Sequence, residues 1–167
     1  MKGFVNIDDH DHKGVDLVAD VTKGIPFSDG EVDEIYAGHF MEHIPSNQTK
    51  EILAEFMRIL KPRGKLTIVV PDIRRACGMF IRGEINMPTL YERIILGYPG
   101  DGEENAVLLG LPQMNPPHRN IYDPDKLFET VINAGFVGVV PVKIETNPYL
   151  VARVMFQCGV EARKPGK

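Results

Sequence analysis

Three short apolar runs that end on acids or glycine fill the first forty residues: FVNID from Phe4 to Asp8, VDLVAD from Val15 to Asp20, and VDEIYAG from Val32 to Gly38. Each has strand length and closes beside polar residues, which predicts three β-strands with polar carboxyl ends. The period then changes. Ile52, Leu53, Phe56, Met57 and Leu60 recur at the spacing of one buried helical face, with Ser46 or Asn47 available as cap and Pro62 and Gly64 as terminators. KLTIVVPD follows, apolar from Leu66 to Val70 apart from Thr67, as in a parallel strand buried on both faces.

The second half repeats the alternation. Asp123 caps and Pro124 opens a predicted helix with Leu127, Phe128, Val131 and Ile132 on its buried face and Gly135 as its stop. FVGVVPVKIE and YLVARVMFQC, joined at Thr146-Asn147-Pro148, read as an antiparallel hairpin at a sheet edge, where Pro141 is tolerated. Between residues 73 and 117 two helical patterns, around Cys77 to Gly83 and Thr89 to Gly97, precede a Gly-rich loop from Gly97 to Gly110. This segment reads as an insertion, either a lid over a substrate or a dimer contact. Met79, Phe80, Met87 and Leu90 suit both roles, and equally a plain core. Strands alternating with helices place the chain in the α/β class, as one domain over 1–167.

Composition agrees, since 167 residues with 43% apolar and 25% charged content suit one soluble domain. A formal charge of -4 argues against a general nucleic-acid grip, which rests on clustered Lys and Arg. The short basic run Arg58, Lys61, Arg63 and Lys65 reads as a helix end with its solvated flank. Cys77 and Cys158 lie too far apart in sequence for paired metal-ligand spacing and are read as packing residues of a reducing compartment. No apolar run approaches the roughly 18 residues of a membrane helix, and the N-terminus turns acidic at once, unlike a signal peptide. The expectation is a cytoplasmic protein without membrane contact.

Candidate chemistry begins at HFMEHIP, from His39 to Pro45, whose His-x-x-Glu-His letters match the inverted zinc-peptidase signature. That motif needs both histidines on one face of a continuous helix, whereas His39 follows a strand and Pro45 stands just past His43. DDHDH, from Asp8 to His12, has a metal-binding composition, yet a solvated loop explains it equally well. No metal is therefore expected. A metal-dependent hydrolase built on DDHDH or on His39 and His43 remains an alternative.

In their order and spacing these segments resemble the class I S-adenosylmethionine-dependent methyltransferases, in particular the small bacterial methyltransferase-11-like group. FVNIDDHD is similar to the family's second strand, DLVADVTKGIPFSDGEVDEIYAGHFMEHIP to its third and fourth, and EILAEFMRILKPRGKLTIVVPD to its helix and fifth strand. The resemblance continues through HRNIYDPDKLFETVINAGF to the final hairpin. It implies a Rossmann-like sheet, mostly parallel with an antiparallel C-terminal hairpin, and S-adenosylmethionine as cofactor. By the same resemblance Asp8 would accept from the ribose hydroxyls, Asp20 with the backbone of Val21 would read the adenine edge, and His39 would lie beside the methionine half. Simple strand termination or a turn acid is the plainer reading of both aspartates. Glu42 and His43 would open the next helix, more as structure than as catalysts. His118, followed by Arg119 and Tyr122, is the candidate general base, with His43 second. NPPH, Asn115 to His118, follows the fifth strand and so reads as a rigid turn rather than the Asn-Pro-Pro-aromatic signature.

The resemblance also implies an absence. The family's first strand and its Gly-x-Gly loop should precede Phe4, where only Met1, Lys2 and Gly3 stand, so the fold reads as N-terminally truncated. That strand sits mid-sheet, between the second and fourth. Either those two pair directly, or a partner chain covers the edges, which leads to the expectation of a homo-oligomer. The implied reaction is direct methyl transfer to an acceptor of small-molecule or saccharide type. A catalytically degenerate interaction module is the alternative that explains the missing loop.

Overall fold

The computed structural model describes residues 3–11, 13–92, 94, 117–142 and 156–166. Strands β1 (Ile7–Asp8) and β2 (Leu17–Val18) form a parallel pair of their own, Ile7 opposite Leu17 and Asp8 opposite Val18. The larger sheet holds β3 (Val32–Gly38), β4 (Leu60–Pro71), β5 (Val137–Pro141) and β6 (Gln157–Arg163) in the order β3-β4-β6-β5. The β3 to β4 ladder is parallel, and β6 runs antiparallel to both β4 and β5. Direct pairing of the second family strand with the fourth does not form: β1 turns to β2 instead, and β3 is an edge of the other sheet.

Helix α1 (Thr49–Ile59) buries Ile52, Leu53, Phe56 and Ile59, as its periodicity predicts. Two details of the expectation fail. Neither Ser46 nor Asn47 caps it; Gln48 occupies the N-cap without a side-chain bond, while the Thr49 hydroxyl sits 3.4 Å from the Pro45 carbonyl. Nor do Pro62 and Gly64 end it. Leu60 already has extended backbone, so the helix stops at Ile59 and both residues lie within β4.

Register explains their presence. Leu60 faces Val32 and Lys65 faces Glu34, so Lys61 to Gly64 form an excursion with almost no counterpart on β3. Arg63 takes φ +65° there, and a Cβ on Gly64 would meet the Lys61 carbonyl at 2.8 Å. The basic run is solvated at Lys61 and Arg63, as expected, and it is also paired. Arg58 donates to Glu55, Asp29 and the carbonyls of Ile25 and Phe27, while Lys61 pairs with Asp33 and Lys65 with Glu34.

Strand β6 also departs from expectation. It begins at Gln157, near the end of the predicted YLVARVMFQC strand, and continues to Arg163. It lies inside the sheet between β4 and β5, so of the two strands predicted as a hairpin β5, with Pro141, is the one at an edge. The Thr146-Asn147-Pro148 turn falls outside the described residues, as does the Gly97 to Gly110 loop.

Beyond β4 come α2 (Ile73–Ile81) and α3 (Met87–Tyr91), and later α4 (Pro124–Asn133), capped by Asp123 as predicted. Leu66, Ile68 and Val70 of β4 join Ile52, Leu53 and Phe56 of α1 and Leu127 and Val131 of α4 in one core. Ile132, expected on that face, is 53% exposed. A smaller cluster of Ala76, Ile85, Ile94 and Phe156 packs separately. Ile7, Val21 and Phe27 attach the β1–β2 region to the main core. Among the described residues no helix is long and apolar enough to cross a membrane.

Two outcomes follow from β6. A Cβ on buried Gly159 would meet the Ile68 carbonyl at 2.8 Å, so Gly159→Ala is expected to lower unfolding stability in urea by about 1–3 kcal/mol. Burial foremost, with the charges of Asp72, Asp123 and Glu42, pushes the Cys158 thiol up from 9.0 to about 12. The unfolded chain then loses this proton first, so stability is intact below pH 9 and falls as pH rises toward 12. Cys158→Ala is expected to shrink that alkaline loss in urea midpoints measured across the window.

Candidate functional site

Strand β3 ends at Gly38, and the chain reverses through His39, whose φ is +53°. A histidine tolerates this left-handed conformation better than a branched residue would. His39 N still donates to the Val69 carbonyl at 2.9 Å, which holds the reversal against β4. Met41 to His43 then form a single 3-10 turn, and Pro45 with the turn behind it separates that turn from α1. Glu42 and His43 therefore do not open the next helix, and the continuous metal-binding helix of a zinc peptidase is absent.

Glu42 acts from both of its ends. Its carbonyl accepts from the backbone amides of Arg119 (2.8 Å) and Asn120 (3.0 Å), which docks the segment before α4 onto the 3-10 turn. Docking brings the His118 ring to 5.0 Å from the His43 ring, edge to face at 73°. The Glu42 side chain is 2% exposed; its Oε1 lies 3.1 Å from His39 Nδ1. Glu42 Oε2 and His43 Nδ1 are buried and find no hydrogen-bond partner among the described residues. Each such atom costs about 1–3 kcal/mol if nothing else satisfies it.

His118 is oriented from behind. Its Nδ1 lies 2.7 Å from the Ile94 carbonyl, which can only accept, so the neutral ring carries its proton there and leaves Nε2 as the acceptor. Burial lowers the His118 pKa, against the opposing pull of the Ile94 carbonyl and the Glu42 charge. The ring is thus neutral near neutral pH, as a base or a metal ligand requires.

Sequence reasoning passed over two neighbours. Asp72, 7% exposed, caps α2 through Arg75 N at 3.0 Å and bridges to Tyr122. Asn120 is buried and donates to the Tyr122 hydroxyl at 2.9 Å, while its Oδ1 accepts from Lys126 Nζ at 2.6 Å. Asp72 had a signal, an acid between a strand and a helical pattern; Asn120 had none, because its role comes from the docking of its backbone. Asn120, Tyr122, Thr49 and Lys126 line a groove of about 340 Å³ between α1 and α4.

The remaining candidates lie on the β1–β2 pair. Asp8 ends β1 and accepts from His10 N at 2.9 Å. Asp20 follows β2 and caps the 3-10 turn from Val21 to Lys23, accepting from the Thr22 hydroxyl (2.6 Å) and amide (3.0 Å) and pairing with Lys23 at 2.9 Å. The Thr22 hydroxyl, then Lys23, holds its carboxyl at about 2, so it is ionised at neutral pH. Because β1 and β2 are parallel, both acids stand at one carboxyl edge. The structure thus gathers His39, Glu42, His43 and His118 in one cluster and places Asp8 and Asp20 together on another edge.

Residues 3–68 match the family described as methyltransferase domain. The fold is similar to an S-adenosylmethionine-dependent methyltransferase of Methanosarcina mazei, with TM-score 0.55 and 14% identity over 92% of this chain and 68% of that one. It is also similar to such an enzyme of Thermotoga maritima, with TM-score 0.53 and 16% identity over 90% of this chain and 65% of that one. Human N-acetylserotonin methyltransferase, solved with S-adenosylmethionine, gives TM-score 0.51 and 13% identity over 93% of this chain and 35% of that one. The chain therefore spans between 35% and 68% of the length of these proteins. No curated protein matches it by sequence. The fold is the Rossmann-like α/β fold of class I methyltransferases. The methyltransferase-domain match covers residues 3–68, less than half of the chain.

Removing the Asn120 amide takes a donor from the buried Tyr122 hydroxyl and one of two acceptors from Lys126, which keeps the Ile121 carbonyl, so Asn120→Ala is expected to cost about 1–3 kcal/mol in urea unfolding. Asn120→Asp, which keeps an acceptor for Lys126, should cost less.

Proposed function

We propose that this chain binds S-adenosylmethionine at the carboxyl ends of β1, β2 and β3 and carries out methyl transfer to an acceptor not yet identified. The observation that carries this reading is positional. The methyltransferase-domain match over 3–68 coincides with β1 through most of β4, and Asp8, Asp20 and His39 stand at or just past the carboxyl ends of β1, β2 and β3. Open α/β sheets bind ligands at that edge.

The donor chemistry fits in part. Two acceptor carboxylates on one edge suit ribose hydroxyls and an exocyclic amine, and the ionised state of Asp20 supports the second. No Gly-x-Gly loop lies beside them among the described residues. When bound, the cofactor supplies an electrophilic methyl group. The protein's contribution is then to position the acceptor. In this reading His118, its Nδ1 bonded to the Ile94 carbonyl, takes up the acceptor's proton through Nε2, which its neutral form supports.

A second reading, an interaction module that kept the fold, draws support from the separation of the β1–β2 pair from β3. Calorimetric titration with S-adenosylhomocysteine decides between them. Micromolar binding, weakened at least about tenfold by Asp8→Ala, is the expected result, a loss of about 1.4 kcal/mol. No binding at millimolar ligand sinks the cofactor reading and leaves the module.

A further inference from the structure

We propose that Glu42, His43 and His118 form a site for a divalent transition-metal ion of the zinc class. Each offers one ligand atom, and these atoms all lie within 4.8 Å of one another. An ion held at about 2.0–2.2 Å from each ligand brings tetrahedral ligand atoms to about 3.4 Å apart, a closure that side-chain rotation supplies. The backbone is already fixed, because the Glu42 carbonyl holds the segment after His118 through two amides.

Independent observations point to an ion. Glu42 Oε2 and His43 Nδ1 are buried polar atoms without partners, and Glu42 is 1% exposed. An ion between them would engage the cluster that the protein leaves unsatisfied. The surroundings have the form of an outer shell. The Ile94 carbonyl accepts from His118 Nδ1 and so presents Nε2, while His39 Nδ1 braces the other carboxylate oxygen of Glu42 at 3.1 Å. Two imidazoles and one carboxylate favour zinc-class ions over magnesium or calcium, and three protein ligands leave a position open for water or an oxygen-bearing ligand.

Half-buried Asp8 with exposed Asp9 and His10 also brings ligand atoms within 4.8 Å of one another, but among the described residues nothing buried there lacks a partner. An ion on His118 Nε2 excludes that atom as a proton acceptor, so metal binding and the base role are mutually exclusive. The site requires no cofactor, and its test runs without one.

Chelator-stripped protein is titrated with zinc chloride by calorimetry and with cobalt chloride by visible absorption, each variant first checked by circular dichroism and thermal melting. Stoichiometric zinc binding at micromolar strength or tighter is expected, with a cobalt spectrum of low coordination number. Glu42→Gln and His118→Gln should abolish it, His39→Ala should weaken it by about 10-fold to 100-fold, and His10→Gln should leave it unchanged. Absence of zinc binding, or binding that survives His118→Gln and disappears in His10→Gln, overturns the proposal.

Discussion

Strand β4 is hydrogen-bonded along both edges, to β3 on one side and to β6 on the other, and its residues from Leu66 to Val70 are at most 2% exposed. No other strand in the described sheet meets both a parallel and an antiparallel neighbour. The constraint is severe, because every backbone group of a strand buried on both faces must find its partner in the ladder. α1 and α4 pack on the face that Leu66, Ile68 and Val70 present. Both ends of β4 are tied further. At its start Lys164 Nζ and Arg163 Nη1 donate to the carbonyls of Leu60 and Arg63, closing the excursion that the register leaves open. At its finish Asp72 bridges to Tyr122, and its amide donates to the Phe156 carbonyl.

The site inherits its geometry from that strand. His39 is held by the Val69 carbonyl, Glu42 follows within one turn, and the carbonyl of Glu42 then captures the chain before α4. A segment distant in sequence is thereby fixed by two backbone bonds, with side-chain bonds from His118 to the Ile94 carbonyl and from Asn120 to Thr49 added to them. The two main-chain bonds themselves do not depend on which side chains stand at Arg119 and Asn120. Their chemistry is free to serve the core, as Asn120 does with Tyr122 and Lys126.

How legible this was depends on the distance over which each feature is determined. β3, α1 and α4 were readable because alternation, helical spacing and the Asp-Pro start are local signals, and the structure keeps them nearly intact. The failures were nonlocal. Pro62 and Gly64 carry the letters of a helix end, but the register with β3 absorbs them into a strand. The place of β6 inside the sheet reflects its partners on both sides, which periodicity cannot name. Among the site residues His39, Glu42 and His43 were visible as a spaced triplet. Their meeting with His118 was not, since it rests on the main-chain carbonyl of Glu42, a group that every residue possesses.

The β1–β2 pair has only two residues in each strand, and its attachment runs through Ile7, Val21 and Phe27. Regions with so short a ladder open at lower free energy than a core strand such as β4, without the rest of the molecule unfolding. Asp8 and Asp20 ride on this pair, while the histidine cluster rides on β3 and β4. The aspartates and the histidine cluster therefore sit on supports of different rigidity. A ligand held mainly by the aspartates meets its binding-competent form for only part of the time, and its apparent affinity is reduced by that fraction. Anything that braces β1 against β3, whether a strand or the ligand itself, would tighten the acidic edge without touching either carboxylate.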